Sequence, residues 1–172
     1  MQNLIVRQAQ PADAIQCIEF VQALAAEPNI GIGLSAGEFN LTEEQEVQFI
    51  QELADAENSL FLVAEAEGRI IGSLTLQGGK RKSNRHAATL GITVAKDYRA
   101  QGAGRALMQA AIDWVKANPV LKRVELNVFT SNPSAIHLYE AFGFKVEGHR
   151  RKALYRDGLF HDDLLMALLI EN

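Results

Sequence analysis

The chain has 172 residues, 48% of them hydrophobic, and a formal net charge of −4. These values are typical of one globular domain, which we expect to span residues 1–172, and the negative charge argues against a nucleic-acid partner because such binding needs a positive field. The longest apolar run, 164–170, is too short to cross a bilayer, so we expect a cytoplasmic protein with no membrane partner.

The first part of the chain alternates between strand-like and helical patterns. Residues 4–7 suit a strand, and Pro11 begins a helix whose apolar face includes Cys17. Because Cys17 is the single cysteine, an intramolecular disulfide is excluded. Thr42 and Gln45 have capping-box spacing and predict the start of a second helix.

Strand-like runs then follow at 60–66, 70–76 and 88–94. We expect these runs to pair as an antiparallel meander. A basic loop joins the second run to the third and contains Lys80, Arg81, Lys82 and Arg85. Its simplest interpretation is a solvated hairpin loop, and the functional alternative is a patch for cofactor phosphates or an acidic partner.

The pattern changes to a helical period after 88–94. Apolar residues at i, i+3, i+4, i+7 and i+8 from Leu107 predict a helix packed on a sheet. A strand at 124–129 follows, and Asn132 and Pro133 then offer an N-cap and a first-turn proline for another helix.

The last part, 144–169, is typical of two strands joined by a type I′ turn at Asp157 and Gly158. The whole chain therefore predicts an α/β (α+β) fold with a mixed, mostly antiparallel central sheet flanked by helices.

The most informative junction is the loop 95–104 between a predicted strand and a predicted helix. Such a turn aims unpaired N–H groups and the positive end of the helix dipole at one point, where an anion binds. Gly102 and Gly104 allow a diphosphate close to the backbone, and Arg99 and Arg105 can add charge-assisted hydrogen bonds. By itself, a Gly-x-Gly turn is equally typical of a plain tight connection.

Two other phosphate loops do not fit. A dinucleotide-binding fingerprint needs a third glycine or alanine where Leu107 stands, and no Gly-Lys-Ser or Gly-Lys-Thr of a P-loop follows Gly104.

Together with residues further along the chain, the loop resembles the GNAT superfamily of acetyl-coenzyme A-dependent N-acetyltransferases. The resemblance rests on Arg99-x-x-Gly102-x-Gly104 after an apolar strand, followed by Asn127, Asn132, Ala135, Leu138-Tyr139 and Gly143-Phe144. It implies a GNAT-like acyltransferase fold and transfer of an acetyl group to a primary amine of a small metabolite or peptide, by direct attack in a ternary complex. It also implies acetyl-CoA as co-substrate, no metal, and a homodimer as one possible assembly.

The resemblance further implies which residues bind acetyl-CoA. In similar proteins the strand before the loop binds the pantetheine arm and offers an N–H to the thioester carbonyl, while the loop wraps the pyrophosphate. The implied cofactor-binding residues are Ile92, Thr93, Val94, Arg99, Ala100, Gln101, Gly102, Ala103, Gly104, Arg105, Asn127, Asn132, Ala135 and Tyr139.

Tyr139 is also the implied catalytic residue, because the matching tyrosine often lies near the thioester sulfur. Its implied role is to protonate the departing thiolate, but reference pKa values of about 10 for tyrosine and about 8.5 for a thiol make full proton transfer uphill, which favours a phenol that only donates a hydrogen bond. The alternative is a tyrosine that packs in the helix stripe.

The general base is not evident from the sequence. Many relatives carry a glutamate on the strand before the loop, but Thr89, Gly91 and Thr93 occupy the alternate positions here. Water, His86 and Glu125 remain open as proton acceptors. The missing glutamate also leaves a second function open, a noncatalytic acyl-coenzyme A sensor or interaction module.

The resemblance assigns the acceptor side to three segments. They are the loop 29–40, the basic loop around Lys80, and the terminal hairpin with Tyr155, Arg156, His161, Asp162 and Asp163. The two aspartates could attract a cationic amine, but consecutive strand residues point to opposite faces, so we expect at most one to face the site.

Overall fold

The computed structural model describes residues 3–28 and 30–171, which form strands and helices close to those predicted. The strands are β1 (Ile5–Gln8), β2 (Leu60–Ala66), β3 (Arg69–Gly78), β4 (Ala87–Val94), β5 (Arg123–Phe129), β6 (Lys145–Arg156) and β7 (Leu159–Leu169). The helices are α1 (Ala14–Ala25), α2 (Glu43–Asp55), α3 (Ala103–Ala117) and α4 (Pro133–Ala141). Short 3₁₀ turns precede α1 at Pro11–Asp13 and follow β4 at Lys96–Tyr98.

The seven strands form one sheet in the order β1-β2-β3-β4-β5-β7-β6. Only the β4–β5 pair is parallel within the described residues, so the predicted mixed, mostly antiparallel sheet is confirmed, including the β2–β3–β4 meander. The β6–β7 hairpin turns at Asp157 and Gly158, whose φ angles of 52° and 80° suit the predicted type I′ turn.

Helices cover both faces of the sheet. Alternate β2 residues separate the two layers, because Leu62 packs in the cluster of α3 and α4 whereas Val63 packs in the cluster of α1 and α2. Cys17 lies buried in the α1–α2 layer, as its helical pattern predicted.

The start of α2 shows why its residues were readable from the sequence. Thr42 Oγ1 accepts a hydrogen bond from Gln45 N at 3.3 Å, and Gln45 Oε1 accepts one from Thr42 N at 2.9 Å. This reciprocal pair satisfies two backbone groups at the helix end and confirms the predicted capping box.

No helix within 3–28 or 30–171 is long and apolar enough to cross a membrane.

The sheet opens between β4 and β5. These strands pair only at Ala87–Thr89 with Arg123–Glu125, and beyond this point β4 pairs only with β3 and β5 only with β7 in the described chain. The strands therefore diverge and leave a wedge-shaped gap, hereafter the gap, whose open end lies between Val94 and Phe129.

Candidate active site

The loop after β4 delivers free backbone N–H groups to the open end of the gap. Gly102 is the N-cap of α3 with a φ of 95°, a left-handed conformation that glycine adopts without a steric penalty. No side chain caps this helix, and its first intrahelical bond runs from Ala106 N to Gly102 O at 2.9 Å. The N–H groups of Ala103, Gly104 and Arg105 are thus available to an anion at a helix of 15 residues.

Gly104 brings three elements together. A Cβ built on this residue would lie 3.6 Å from Leu138 Cδ2 of α4 and 3.7 Å from Val94 Cγ2 of β4. The loop 95–104, hereafter the phosphate-type loop, therefore meets the end of β4 and α4 at one place. The sequence pattern alone could only imply this convergence.

The edge of β4 that faces the gap carries free backbone groups. Ala95 N donates to Ile71 O of β3 at 2.8 Å, and because strand residues alternate in direction, the N–H and C=O of Val94 point away from β3. Those of Ile92 point the same way, since it lies two residues earlier. At this level β5 has diverged, so the Val94 and Ile92 N–H groups face the gap.

Tyr139 lies in α4 and is buried, with its ring centroid 6.0 Å from that of Phe144. Burial raises the pKa of its phenol to about 12. The hydroxyl therefore stays protonated at neutral pH and is chemically able to donate a hydrogen bond.

The two predicted asparagines lie on the β5 side. Asn127 is exposed on β5 beyond the last pair with β4. Asn132 is the N-cap of α4, and its Oδ1 accepts a hydrogen bond from Ala135 N at 3.1 Å, which confirms the predicted cap. Its Nδ2 takes no part in that bond and lies against Gly31. A Cβ built on Gly31 would be 3.1 Å from Asn132 Nδ2.

The two arginines expected to supply charge to the anion are directed elsewhere. Arg99 donates Nε to Val94 O at 2.9 Å and its two terminal nitrogens to the Glu27 carboxylate at 2.5 and 2.7 Å. The Arg105 guanidinium carbon lies 5.6 Å from the Phe142 ring centroid, a cation–π distance. The backbone N–H groups are therefore the part of the loop that remains open to a phosphate.

Of the side chains considered as a base, His86 lies far from this opening. It precedes β4 at the closed end of the gap, about 25 Å of strand from Val94. A base must reach the amine directly or through one water, so His86 is unsuited to that role. Glu125 lies beside Thr89 at the apex of the gap, and its carboxylate accepts a hydrogen bond from Arg123 Nε at 2.9 Å.

The basic loop is also remote from the open end, because Gly78 pairs with Ala88 at the start of β4. Lys80 instead approaches Glu52 of α2 at 3.8 Å, and Arg85 pairs with Glu57. The full length of β4 thus lies between this loop and the open end of the gap, and its expected place beside the acceptor stays a prediction.

The aspartates of the terminal hairpin are both engaged. Asp163, fully buried, pairs with Arg150 at 2.5 and 2.8 Å. Asp162 accepts from Lys152 N at 2.8 Å and contacts His149 Nε2 at 3.0 Å. Both carboxylates therefore already have hydrogen-bond partners, and the expectation that at most one of them faces the acceptor stays a prediction.

His161 and Arg156 of the same hairpin turn toward the rest of the molecule. His161 stacks on Phe129 with ring centroids 5.0 Å apart. Arg156 is only 5% exposed and donates to main-chain carbonyls at the end of α1 and in the connection to α2. That connection was predicted as a loop over 29–40, and its residue 29 lies outside the described residues.

The sequence did not reveal Glu27 as part of this site, and it placed Gly31 there only as one residue of the loop 29–40. Glu27 follows α1 directly, so nothing in its neighbourhood distinguishes it from an ordinary surface glutamate. Gly31 gave a stronger signal, since isolated glycines often mark close backbone approaches, but its partner lies about a hundred residues away in the chain.

Comparison with known proteins agrees with this geometry. Residues 24–144 match the model described as the acetyltransferase (GNAT) family. The chain is 28% identical over 171 residues to the L-amino acid N-acetyltransferase AaaT of Escherichia coli (strain K12), covering 97% of this chain and 98% of that protein.

Two solved structures share the fold. The acetyltransferase of GNAT family from Streptococcus pneumoniae superposes with a TM-score of 0.94 at 33% identity, covering 98% of this chain and all of that one, 100%. The structure of yncA from Salmonella typhimurium with its cofactor acetyl-CoA has a TM-score of 0.86 at 17% identity, covering 99% of this chain and 96% of the other. The predicted fold and the predicted class of enzyme, an acetyl-CoA-dependent N-acetyltransferase, are thereby confirmed at the level of the family. The chain belongs to the acetyltransferase (GNAT) family.

Proposed function

We propose that the protein transfers the acetyl group of acetyl-CoA to the primary amine of a small metabolite or peptide, by direct attack in a ternary complex. The observation that carries this proposal is the convergence at Gly104. The free N–H groups of α3, suited to a diphosphate, and the free edge of β4, suited to an extended amide-bearing arm, border the same gap. No other arrangement in the described residues offers both.

In this proposal backbone groups bind acetyl-CoA, and side chains orient the reacting groups. Ala103, Gly104 and Arg105 donate N–H groups to the pyrophosphate, and Ile92 and Val94 pair with the pantetheine arm. Acetyl-CoA supplies an activated thioester, so the chain needs chiefly to hold the acceptor amine near it. The Val94 N–H is suited to stabilise the developing oxyanion, a contribution of about 3 kcal/mol in comparable sites.

Tyr139 is proposed to act at the sulfur. A phenol pKa of about 12 against about 8.5 for a thiol makes full proton transfer uphill by about 5 kcal/mol. Tyr139 therefore stabilises the departing thiolate as a hydrogen-bond donor and keeps its proton.

The proton of the ammonium is proposed to leave through water. His86 is too distant, and the Glu125 carboxylate is paired with Arg123. On the face of β3 and β4 opposite the α3 layer, Ser73 Oγ and Thr93 Oγ1 lie 3.1 Å apart, and both residues are half-buried. Hydroxyl groups donate and accept, so this pair is suited to hold an ordered water beside the amine.

The acceptor class is proposed from the similarity over nearly the whole chain to a protein named as an L-amino acid N-acetyltransferase. The pairing of both hairpin aspartates supports this choice over a polyamine, whose second ammonium group calls for an unpaired carboxylate.

The test follows coenzyme A release with a panel of amines, namely amino acids, short peptides with a free N-terminus and a polyamine, alongside calorimetric titration of acetyl-CoA. Binding with turnover of an amino acid or peptide supports the proposal. Binding without turnover of any amine contradicts it and favours the second candidate, a noncatalytic acyl-CoA sensor. That candidate is supported by the absence of a glutamate at positions 89, 91 and 93, which are Thr89, Gly91 and Thr93.

A further inference from the structure

Arg156 lies at the end of β6 yet contacts a segment more than a hundred residues earlier in the chain. Its Nη1 donates to Ile32 O at 3.0 Å and also to Leu34 O, and its Nη2 donates to Ala25 O at 3.0 Å and Glu27 O at 2.9 Å. A planar guanidinium with fixed donors suits such a set of carbonyls, and it also satisfies carbonyl groups that the end of α1 leaves unpaired.

The segment 30–34 is hereafter called the strap, and Glu27 and the strap make contacts on opposite sides of the gap. On the β4 side, Glu27 just before the strap binds Arg99, which in turn binds Val94 O. On the β5 side, Gly31 lies against the side chain of Asn132. These contacts lie on either side of the open end of the gap, where the proposed function places the reacting groups.

The backbone carbonyl and the side-chain carboxylate of Glu27 both accept hydrogen bonds from arginines. Its carbonyl accepts from Arg156, and its carboxylate accepts from Arg99. Arg156, Glu27 and Arg99 therefore form a continuous series of hydrogen bonds from the terminal hairpin to the last residue of β4.

We propose that Arg156 is a positioning residue for the acceptor amine, which fixes the strap at the open end of the gap and ties it through Glu27 to the strand that bears Val94. The inference rests on the proposed function for its kinetic consequences. Its structural consequence, an ordered strap, is independent of any activity.

The primary test compares Arg156→Met and Arg156→Lys with the wild-type protein in acceptor KM, kcat and the calorimetric Kd for acetyl-CoA. Loss of charged hydrogen bonds to the strap predicts an acceptor KM raised by about tenfold or more in Arg156→Met. The Kd for acetyl-CoA stays within about threefold, because the free N–H groups of α3 are untouched. Arg156→Lys keeps the positive charge but lacks the planar guanidinium with its fixed donors. Its acceptor KM should therefore lie between that of wild type and that of Arg156→Met.

Lys116→Met is the control, since Lys116 is an exposed cation in the last turn of α3, at the end of that helix opposite Gly104. It should leave both constants unchanged. Gly31→Ala gives a second route in case Arg156→Met does not fold. Its new Cβ would lie 3.1 Å from Asn132 Nδ2 and displace the strap, raising the acceptor KM without removing any arginine.

Amide hydrogen exchange separates this inference from the proposed function. Exchange of the strap amides should accelerate by about tenfold in Arg156→Met while exchange in β4 is unchanged. If no amine is turned over by the wild-type protein, the proposed function fails, and the exchange experiment still decides the strap. An unchanged strap exchange, or a rise of acceptor KM matched by an equal rise in the Kd for acetyl-CoA, would overturn the positioning role.

Discussion

The carboxylate of Glu27 accepts two hydrogen bonds from the guanidinium of Arg99, at 2.5 and 2.7 Å, across 72 positions of the chain. The same guanidinium donates to Val94 O at 2.9 Å. Arg99 thereby joins the end of α1 to the end of β4, and its charge is met by Glu27. The positive character of the phosphate-type loop consequently resides mainly in backbone N–H groups and the dipole of α3.

This ion pair predicts a stability change in acid. Hydrogen bonds from Arg99 hold the pKa of the Glu27 carboxyl below its usual value of 4.5. A carboxyl with a lowered folded-state pKa stabilises the fold above the unfolded-state value, and that stability is lost as the pH falls through the folded-state pKa. Glu27→Gln should therefore be less stable than wild type at pH 7, with the difference shrinking as the pH falls below 4.5.

Urea unfolding at several pH values measures this difference. Glu19→Gln serves as the control, because Glu19 is an exposed glutamate of α1, the helix that precedes Glu27. A Glu27→Gln deficit that stays constant down to strongly acidic pH would show that the ion pair does not carry it.

The role given to Tyr139 predicts a loss of turnover in Tyr139→Phe. Removing the hydroxyl leaves the ring in its packing with Phe144 and deletes only the donor to the thiolate. We expect kcat to fall by about tenfold to a hundredfold, with little change in either KM, since a hydrogen bond to a charged group contributes about 1.5–3 kcal/mol. Steady-state kinetics with the acceptor found in the amine panel measure this. Full activity in the variant would assign Tyr139 to packing alone.

The buried phenol also predicts a stability change in base. The unfolded chain ionises this tyrosine near its ordinary value of 10.0, whereas burial raises the pKa in the folded protein to about 12. The neutral phenol is thus favoured in the fold, and stability is lost as the pH rises from 10.0 toward 12. The loss approaches about 3 kcal/mol for two pKa units.

Unfolding free energies of wild type and Tyr139→Phe over this range isolate the effect. The other titrating groups are common to both proteins, so the difference between them should change by that amount. Parallel pH profiles would mean that the Tyr139 hydroxyl reaches solvent in the folded protein.

The local elements of the fold could be predicted from the sequence because each has a local cause. The capping box at Thr42 and Gln45 and the Asp157-Gly158 turn act between residues close in the chain. The phosphate-type loop could be predicted for the same reason, because Gly102 directly precedes α3 in the chain.

The contacts that distinguish this site act over long separations and were not predictable. Arg99 was predicted to bind the anion, and nothing in the sequence indicated that its guanidinium also contacts a glutamate 72 positions away. Arg156 looked like an acceptor-side residue of an exposed hairpin, yet its partner Ala25 O lies 131 positions earlier. Periodicity and spacing carry no information about such pairs, because they depend on how the finished sheet brings loops together.

The central claim, that the loop at the start of α3 holds the pyrophosphate of acetyl-CoA, can be tested at Gly104. A Cβ there meets Leu138 and Val94 at ordinary contact distances of 3.6 and 3.7 Å, so a side chain is sterically tolerated. An aspartate in the first turn also interacts favourably with the helix dipole, by about 0.3–1 kcal/mol, so Gly104→Asp should remain folded. Its negative charge would repel a diphosphate at the same N–H groups.

The measurement is calorimetric titration of acetyl-CoA into wild type, Gly104→Ala and Gly104→Asp, with thermal unfolding of each as a check on folding. We predict saturable binding to wild type, weaker binding to Gly104→Ala because of added bulk, and at least about a hundredfold weaker binding to Gly104→Asp because like charges repel strongly in a desolvated site. Equal affinity of wild type and a folded Gly104→Asp protein would contradict the assignment of this loop to the pyrophosphate.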